Sequence, residues 1–361
     1  MSTHLVVCLS SHGFGHIGQT APLVHELRAR LPRLRVTLRS NAPHSKLVER
    51  LGGEISIRDS RVDVGWIQHN ALDVAVEESA EAYREFHRYW NKRITREAGE
   101  LLDLRPDLVL ANVPYLPLAA ATRIGVPSVA YCSINWAEIY QHYFKGRRTE
   151  AASILTQMRD AYNCARCFLC PEPAMPLEGI DHLHSIGPVA QLGTRRRAEL
   201  DQRLRLTPRD TVVLISLGGM DVSLGVESWP HSESLRFVVP DSWPSRNPDL
   251  IPLRALGLPF ADVMASCDAL VAKPGYGSFV EAACLGIPVL YVERGNWPES
   301  PYLVSWLQRN GRCAPIGREP LLAGDIASHL TPLLSATHGR LPEPRGIPEA
   351  ADTICALLEK H

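Results

Sequence analysis

Two glycine loops in this chain carry residue types that can do chemistry. The first is Ser10-Ser11-His12-Gly13-Phe14-Gly15-His16, which breaks a short apolar run, His4 to Leu9. An imidazole in such a place can take up a proton near neutral pH. His16 is the sharper chemical candidate, because the end of a first strand is where an open α/β sheet presents its crevice. Two further readings stand beside it: His16 caps the following helix, or it touches an anion. The second loop is Lys273-Pro274-Gly275-Tyr276-Gly277-Ser278, with Glu281 following. Pro274, Gly275 and Gly277 stop an apolar run and let the backbone turn. A helix that starts after such a loop exposes unpaired N–H groups where a phosphate can sit. Ser278 also stands three residues before Glu281, the spacing of a capping box. This loop therefore either holds a phosphate or satisfies its own helix end. Lys273 either neutralises an anion or is a solvated cation at a strand end.

Other groups are weaker. Ser216-Leu217-Gly218-Gly219 ends another apolar run, and bare backbone there can approach an anion. Its other reading is a simple turn. Cys164, Cys167 and Cys170 have metal-like spacing, but no fourth ligand follows at matching distance, so buried thiols are the better reading. No Asp-x-Asp occurs, so a design that bridges diphosphate through a cation has no support in the sequence and no metal is expected.

The elements that must position these loops alternate. Strands are expected at His4–Leu9, Arg35–Leu38, Glu54–Arg58, Pro106–Asn112, Ser128–Cys132 and, as the last of the first half, Cys167–Leu169. Helices are expected at Ala21–Leu31, Ser45–Leu51, Leu116–Ile124 and as one long region from Ala75 to Leu104. Ile186 to Val189 reads as a joint. The pattern restarts with a basic helix, Arg195–Leu204, and strands at Thr211–Leu217 and Leu235–Val239. A helix at Phe260–Cys267 precedes the second glycine loop, a strand begins at Val289, and helices at Tyr302–Asn310, Asp325–Leu334 and Ala350–Glu359 close the chain. Such alternation implies parallel sheets with helices on both faces. The fold class is α/β, with two Rossmann-like domains facing across a cleft. The expected domains are 1–187, 188–345 and a terminal helix, 346–361, that can pack back on the first.

The bulk properties exclude little but agree. The chain has 361 residues, 45% of them apolar and 21% charged, with a formal net charge of −1. That is ordinary globular composition with no footprint for nucleic acid. No apolar run reaches a membrane span. The N-terminus lacks a basic region with a cleavage site. Nine scattered cysteines suit a reducing compartment, so a cytoplasmic location is expected.

Together, Gly13-Phe14-Gly15-His16 and Gly275-Tyr276-Gly277-Ser278 with Glu281 and Gly286-Ile287-Pro288 resemble glycosyltransferases of the two-Rossmann-domain type (GT-B). More narrowly, the chain resembles the glycosyltransferase-like N-terminal region of plant L-arabinokinases and its stand-alone bacterial relatives. That likeness extends to Val62-Asp63-Val64-Gly65, Gln68, Asp73, Pro106 to Val109, Asn135-Trp136 and Ile139-Tyr140. A Gly-Leu-Ser-Ser-Ser-Ala-type phosphate loop is missing, so arabinokinase activity is not implied.

The resemblance implies a nucleotide-diphosphate sugar as co-substrate, with uracil as base. It places Gly277 and Ser278 at the diphosphate, Glu281 at the ribose and Leu253 to Phe260 along the base. Gly15, Ser216, Gly218, Gly219, Lys273, Gly275, Tyr276 and Glu299 complete the donor set. Glu299 departs from the Asp-Gln pair of many relatives; its other reading is a helix cap or surface acid. The first half is implied to take a small-molecule or lipid-linked acceptor, with His12, Asn112, Asn135 and Trp136 as candidates and peripheral membrane contact open. Trp136 or Trp66 either stacks on a sugar face or packs in the core. Glycosyl transfer without a metal, with His16 as base, is the leading expectation. Alternatives are an epimerase or hydrolase of nucleotide sugars and a non-catalytic nucleotide-sugar sensor.

Overall fold

The computed structural model describes residues 3–52, 55–69, 73–218, 224–243, 246–337 and 339–359. The chain forms two compact units. One holds the residues up to Gln68, Val74–Val189 and those from Pro344 onward; the other holds His69–Asp73 and Ala190–Glu343.

The first unit runs β1 (His4–Leu9), α1 (Gly15–Arg30), β2 (Arg35–Arg39), α2 (His44–Leu51), β3 (Ser56–Arg58), α3 (Val76–Arg88) and α4 (Trp90–Leu104). It continues with β4 (Leu108–Asn112), α5 (Leu116–Arg123), β5 (Ser128–Tyr131), α6 (Trp136–Phe144), α7 (Ala151–Asn163), β6 (Cys167–Pro171) and β7 (Leu183–Ile186). Its sheet has the order β3-β2-β1-β4-β5-β6-β7, and every pairing is parallel. Leu5 to Leu9 are wholly buried, as expected for a central strand covered on both faces. Each such Leu or Val contributes about 1.5–3 kcal/mol through burial.

The second unit runs α8 (Arg197–Leu204), β8 (Thr211–Ser216), β9 (Leu235–Val239), β10 (Leu250–Pro252), α9 (Phe260–Ser266), β11 (Ala269–Ala272), α10 (Tyr276–Leu285) and β12 (Val289–Val292). It ends with α11 (Ser300–Asn310), β13 (Cys313–Ile316), α12 (Arg318–Ala323) and α13 (Ala327–Ser335). The sheet order is β10-β9-β8-β11-β12-β13, again all parallel. Val213, Ile215, Phe237, Val271, Leu290 and Val292 project into one core. A last helix, α14 (Gly346–Leu358), belongs to the first unit and packs along α1. There the Glu349 carboxylate accepts the Gly187 N–H at 2.6 Å.

Three expectations change. The long helix splits into α3 and α4 at Tyr89 (φ −113°, ψ 29°), where no Gly or Pro signals a break. Cys167–Leu169 is not the last strand of the first half, because β7 follows it as an edge strand. Leu183, His184 and Ser185 are exposed, so β7 carries no apolar run to announce it. In the second unit β10 and β13 also pair in the sheet; each is too short, or too interrupted by proline, to show as a run. Glu54, the expected start of β3, lies outside the described residues.

Candidate active site

In the first sheet the strand order reverses between β1 and β4, the place where open α/β sheets bind ligands. The register sets Leu9 against Asn112, and the Ser10 N–H donates to the Asn112 carbonyl at 2.9 Å. The glycine loop therefore leaves the sheet beside Asn112. His16 falls in the first turn of α1 with its ring turned inward, 7% exposed. Its Nδ1 lies 2.8 Å from Asn112 Oδ1. Cys132 Sγ stands 3.6 Å from the same Nδ1. Nδ1 donating to the Asn112 oxygen would leave Nε2 with its lone pair. That is the tautomer a general base needs. Burial pushes the imidazole down to about 4, against the opposing effect of the Asn112 bond. The ring is thus neutral across the ordinary pH range. The capping reading of His16 fails, because α1 has no side-chain cap.

His12 is half-buried on the same loop. Its Nδ1 accepts the Trp66 N–H at 3.2 Å. Gly65 (φ +64°) lies directly behind it, where a Cβ would stand 3.4 Å from His12 Cβ. Trp136 stands edge-on to both imidazoles, with ring centroids 5.2 Å from His12 and 5.7 Å from His16. The indole Nε1 donates to Asp63 Oδ2 at 2.8 Å. Burial raises the Asp63 carboxyl, partly offset by the bonds from Trp136 and Ser10.

Three of the four residues assigned to the acceptor are placed otherwise. Asn112 is wholly buried, with its amide between His16 and Gln19. Asn135 is wholly buried and caps α6, its Oδ1 accepting the Glu138 N–H at 2.7 Å. Trp136 is wholly buried too, and Trp66 is packed between Tyr83, Tyr143 and Phe144. Neither indole presents a face for a sugar. Burial follows from position: all three assigned residues lie on or just after strand ends inside the sheet's helical cover. Of the four, only His12 stays at the surface, together with Ser11 and exposed Gly13, Phe14 and Gly15 of its loop. Gln19 and Cys132, which line His16 from behind, carry no motif signal and were missed.

In the second sheet the order reverses between β8 and β11. Ala272 pairs with Ser216, so the loops after these two strands emerge side by side. Helix α10 starts at Tyr276 with Gly275 as N-cap, and the Phe279 N–H donates to the Gly275 carbonyl at 3.1 Å. Ser278 is therefore the third helical residue rather than the cap, and the capping box does not form. The cause is local: Gly275 takes extended geometry (φ −154°, ψ 136°), so the helix begins three residues earlier than Ser-x-x-Glu suggests. The first-turn N–H groups of Tyr276, Gly277 and Ser278 have no acceptor within the helix. Ser278 and Glu281 lie one turn apart on one face.

Gly218 has φ +92°, and a Cβ there would come within 2.9 Å of Lys273 Cε. Its bare backbone makes room for that side chain. Lys273 is pushed down to about 8 by burial and then by Arg294. Arg294 is buried just past β12, with its guanidinium 4.3 Å from the Trp297 ring centroid. Trp297 Nε1 donates to Glu299 Oε2 at 3.1 Å. Glu299 holds the N-cap position of α11 but makes no side-chain cap bond there. Arg294 escaped the sequence reading, although an arginine two residues after an apolar strand and before Gly295 was a usable signal. Gly219 lies outside the described residues. Leu253–Leu256, expected near the base, form a 3-10 turn after β10.

Among the described residues no group of three His, Cys, Asp or Glu side chains could hold a metal ion. Cys167 and Cys170 are buried in β6, where burial pushes their thiols up to about 11 and about 12. A cavity of about 780 Å³ beside α3–α4, lined by His87, Trp90, Lys92, Arg123 and Gln157, shares no residue with either loop. The titratable residues of the two glycine loops and the N-termini of α1 and α10 lie at the strand ends instead. No described helix is long and apolar enough to cross a membrane.

Two all-parallel Rossmann sheets, each with a glycine loop at its switch point, are the GT-B glycosyltransferase fold. The calicheamicin glycosyltransferase CalG4 superposes with a TM-score of 0.64 at 17% identity, covering 100% of this chain and 99% of that one. A UDP-glucosyltransferase from Polygonum tinctorium that glucosylates indoxyl gives 0.61 at 15% identity, covering 99% of both chains. A UDP-N-acetylglucosamine 2-epimerase gives 0.53 at 13% identity, covering 100% and 98%. In sequence, the L-arabinokinase of Arabidopsis thaliana is 24% identical over 343 residues, covering 91% of this chain. This supports the relation to its glycosyltransferase-like region. The chain spans 32% of that relative's length. No family model matches the chain.

Proposed function

We propose that this chain is a glycosyltransferase that moves a sugar from a nucleotide-diphosphate donor, with uridine as nucleoside, to a hydroxyl acceptor. One observation carries the donor half of this reading. The loops after β8 and β11 emerge side by side at the switch point of the second sheet, where α10 begins and half-buried Lys273 lies against Gly218, a setting suited to an anion. A diphosphate would meet the N–H groups of Gly277 and Ser278, the Ser278 hydroxyl, Lys273 and Arg294. Glu281 faces the ribose on the same side of α10. Glu299, bonded through Trp297 to the Arg294 platform, is the candidate for the donor sugar.

His16 supplies the other half. The acceptor hydroxyl attacks the anomeric carbon, its proton passes to His16 Nε2, and the carbon–oxygen bond to the β-phosphate breaks. The electron pair leaves on the diphosphate oxygen, where helix N–H groups, Lys273 and Arg294 stabilise it. These groups carry the charge that a metal ion carries in other transferases, so transfer is read as metal-independent. The wider fold also serves an epimerase, so turnover decides between chemistries. The test is His16→Ala. Donor binding should persist while acceptor-dependent turnover falls about 10²–10⁴-fold. Unchanged turnover refutes the base. Consumption of donor with no acceptor present assigns the chain to a hydrolase or epimerase instead.

A further inference from the structure

A second place in the first unit has the size and chemistry of a ligand site. It is the cavity of about 780 Å³ beside α3 and α4. Its lining runs through the break at Tyr89, where α3 stops and α4 begins, and crosses to α5 and α7. Sites for small organic molecules hold about 300–1,000 Å³. The floor is aromatic and braced. His87 is buried, with Nδ1 2.8 Å from Gln157 Oε1 and Nε2 2.7 Å from the Tyr115 hydroxyl. Trp90 stacks on that imidazole, with ring centroids 5.3 Å apart and planes 26° from parallel. Burial pushes His87 down to about 4, against the opposing effect of the Gln157 bond, so the ring is neutral at neutral pH. With both nitrogens engaged, His87 holds the floor and brings no charge to it. Tyr89 lines the same cavity with its ring exposed.

The rest of the lining is cationic. Arg88, Lys92 and Arg123 are exposed there, against the single carboxylate of Asp160. Three positive charges against one negative leave a surplus of two. Arg88 has a loose pair, 3.8 Å from Glu85, and its guanidinium lies 5.3 Å from the Tyr89 ring centroid. Among the described residues Lys92 and Arg123 pair with no carboxylate, and Asp160 pairs with no cation. Guanidinium forks take phosphate bidentately, and an ammonium meets it as a point charge. A phosphate monoester carries close to two negative charges at neutral pH, which matches the surplus; a carboxylate carries one.

We propose that this cavity is a second ligand site, for the phosphate monoester of a ring-bearing small molecule. The phosphate lies at Arg88, Lys92 and Arg123, and the ring packs against Tyr89 and Trp90. A nucleoside monophosphate and a sugar phosphate share that chemistry. The site uses no residue of either glycine loop, so it stands whether or not the chain transfers sugar.

Calorimetry of the intact protein with AMP, glucose 6-phosphate and inorganic phosphate tests it, at about pH 7.5, where a phosphate monoester is a dianion. AMP or glucose 6-phosphate should bind with a Kd below about 1 mM, and inorganic phosphate at least about tenfold more weakly. The tighter of the two organic phosphates names the source. Lys92→Ala together with Arg123→Ala, both at exposed positions, should weaken that binding at least about tenfold. Lys273→Met, in the second unit, should leave it unchanged, which separates this site from the one proposed for the donor. Cys164 lines the same cavity and is half-buried. Its alkylation by N-ethylmaleimide, read by peptide mass with Cys313 and Cys355 as references, should slow at least about threefold under saturating ligand. No binding of either organic phosphate, equal binding of inorganic phosphate, or binding indifferent to the double variant overturns the proposal. So does a Cys164 that reacts as fast with ligand bound as without. The calorimetric comparison decides the matter if Cys164 does not react in the free protein.

Discussion

Lys273 gives the sharpest handle on the donor site. Held at about 8 by burial and Arg294, its ammonium is nearly full at pH 6.5 and largely lost by pH 8.5. A bound diphosphate restores the charged form, because an opposite charge within reach raises a lysine. Donor affinity should therefore fall as pH rises through 8. From pH 6.5 to 8.5 the charged fraction drops from about 0.97 to about 0.24, a loss of about fourfold in affinity, or roughly 0.8 kcal/mol. The diphosphate of a nucleotide sugar does not titrate in this interval, so the slope belongs to the protein. Calorimetry with a UDP-sugar at fixed ionic strength reads the affinity. Repeating it in buffers of different ionisation enthalpy reads the proton taken up, expected to be about three quarters of a proton at pH 8.5 and near zero at pH 6.5. Lys273→Met should weaken binding at pH 6.5 and remove the slope. The stability sign runs the same way: with its folded pKa below the unfolded one, charged Lys273 destabilises the free protein at low pH. That penalty fades as pH rises from about 8 toward the ordinary lysine range. Stabilisation by donor should then be larger at pH 6.5 than at 8.5. Affinity that is flat with pH in the wild type, with no proton uptake, refutes the placement of diphosphate at Lys273.

Other consequences follow from single contacts. Gly218→Ala puts a methyl within 2.9 Å of Lys273 Cε at φ +92°, so donor affinity should drop at least threefold by calorimetry; an unchanged affinity removes this loop from the site. Trp136→Phe leaves buried Asp63 without its indole donor and should cost about 1–3 kcal/mol in urea unfolding, and a cost under about 0.5 kcal/mol means the bond is dispensable. With His16 titrating near 4, acceptor-dependent turnover should show no acid limb between pH 5.5 and 7.5; a limb centred near 6.5 contradicts a buried neutral base.

Much of the frame was legible because parallel strands buried on both faces leave continuous apolar runs. The cores of β1, β4, β8, β11 and β12 show in that way, and glycine breaks the chain where β1, β8 and β11 end. Of the edge strands β3 showed, but β7, β10 and β13 did not, since Leu183 to Ser185 face solvent, β10 has three residues and β13 contains Pro315. The capping-box spacing misled because it fixes two residues of a helix but not where the helix starts; Gly275 decided that. Asn112, Asn135 and Trp136 were candidates for the acceptor by resemblance, and a resemblance of motifs cannot tell a residue that faces a substrate from one buried beneath the loop.

What the amino-acid sequence by itself determined is the set of loops: a histidine after one strand and a lysine, glycines and serine after another, each ahead of a helix. Those are local facts, set by hydrophobic run, glycine and spacing. Only the tertiary structure decided which groups meet. Leu9 opposite Asn112 and Ala272 opposite Ser216 are pairings across long sequence gaps. From them come the contact of His16 with Asn112, the approach of Lys273 to Gly218, and the burial that perturbs both titrations. Burial and partner identity are properties of the packed sheet, and no stretch of chain carries them alone.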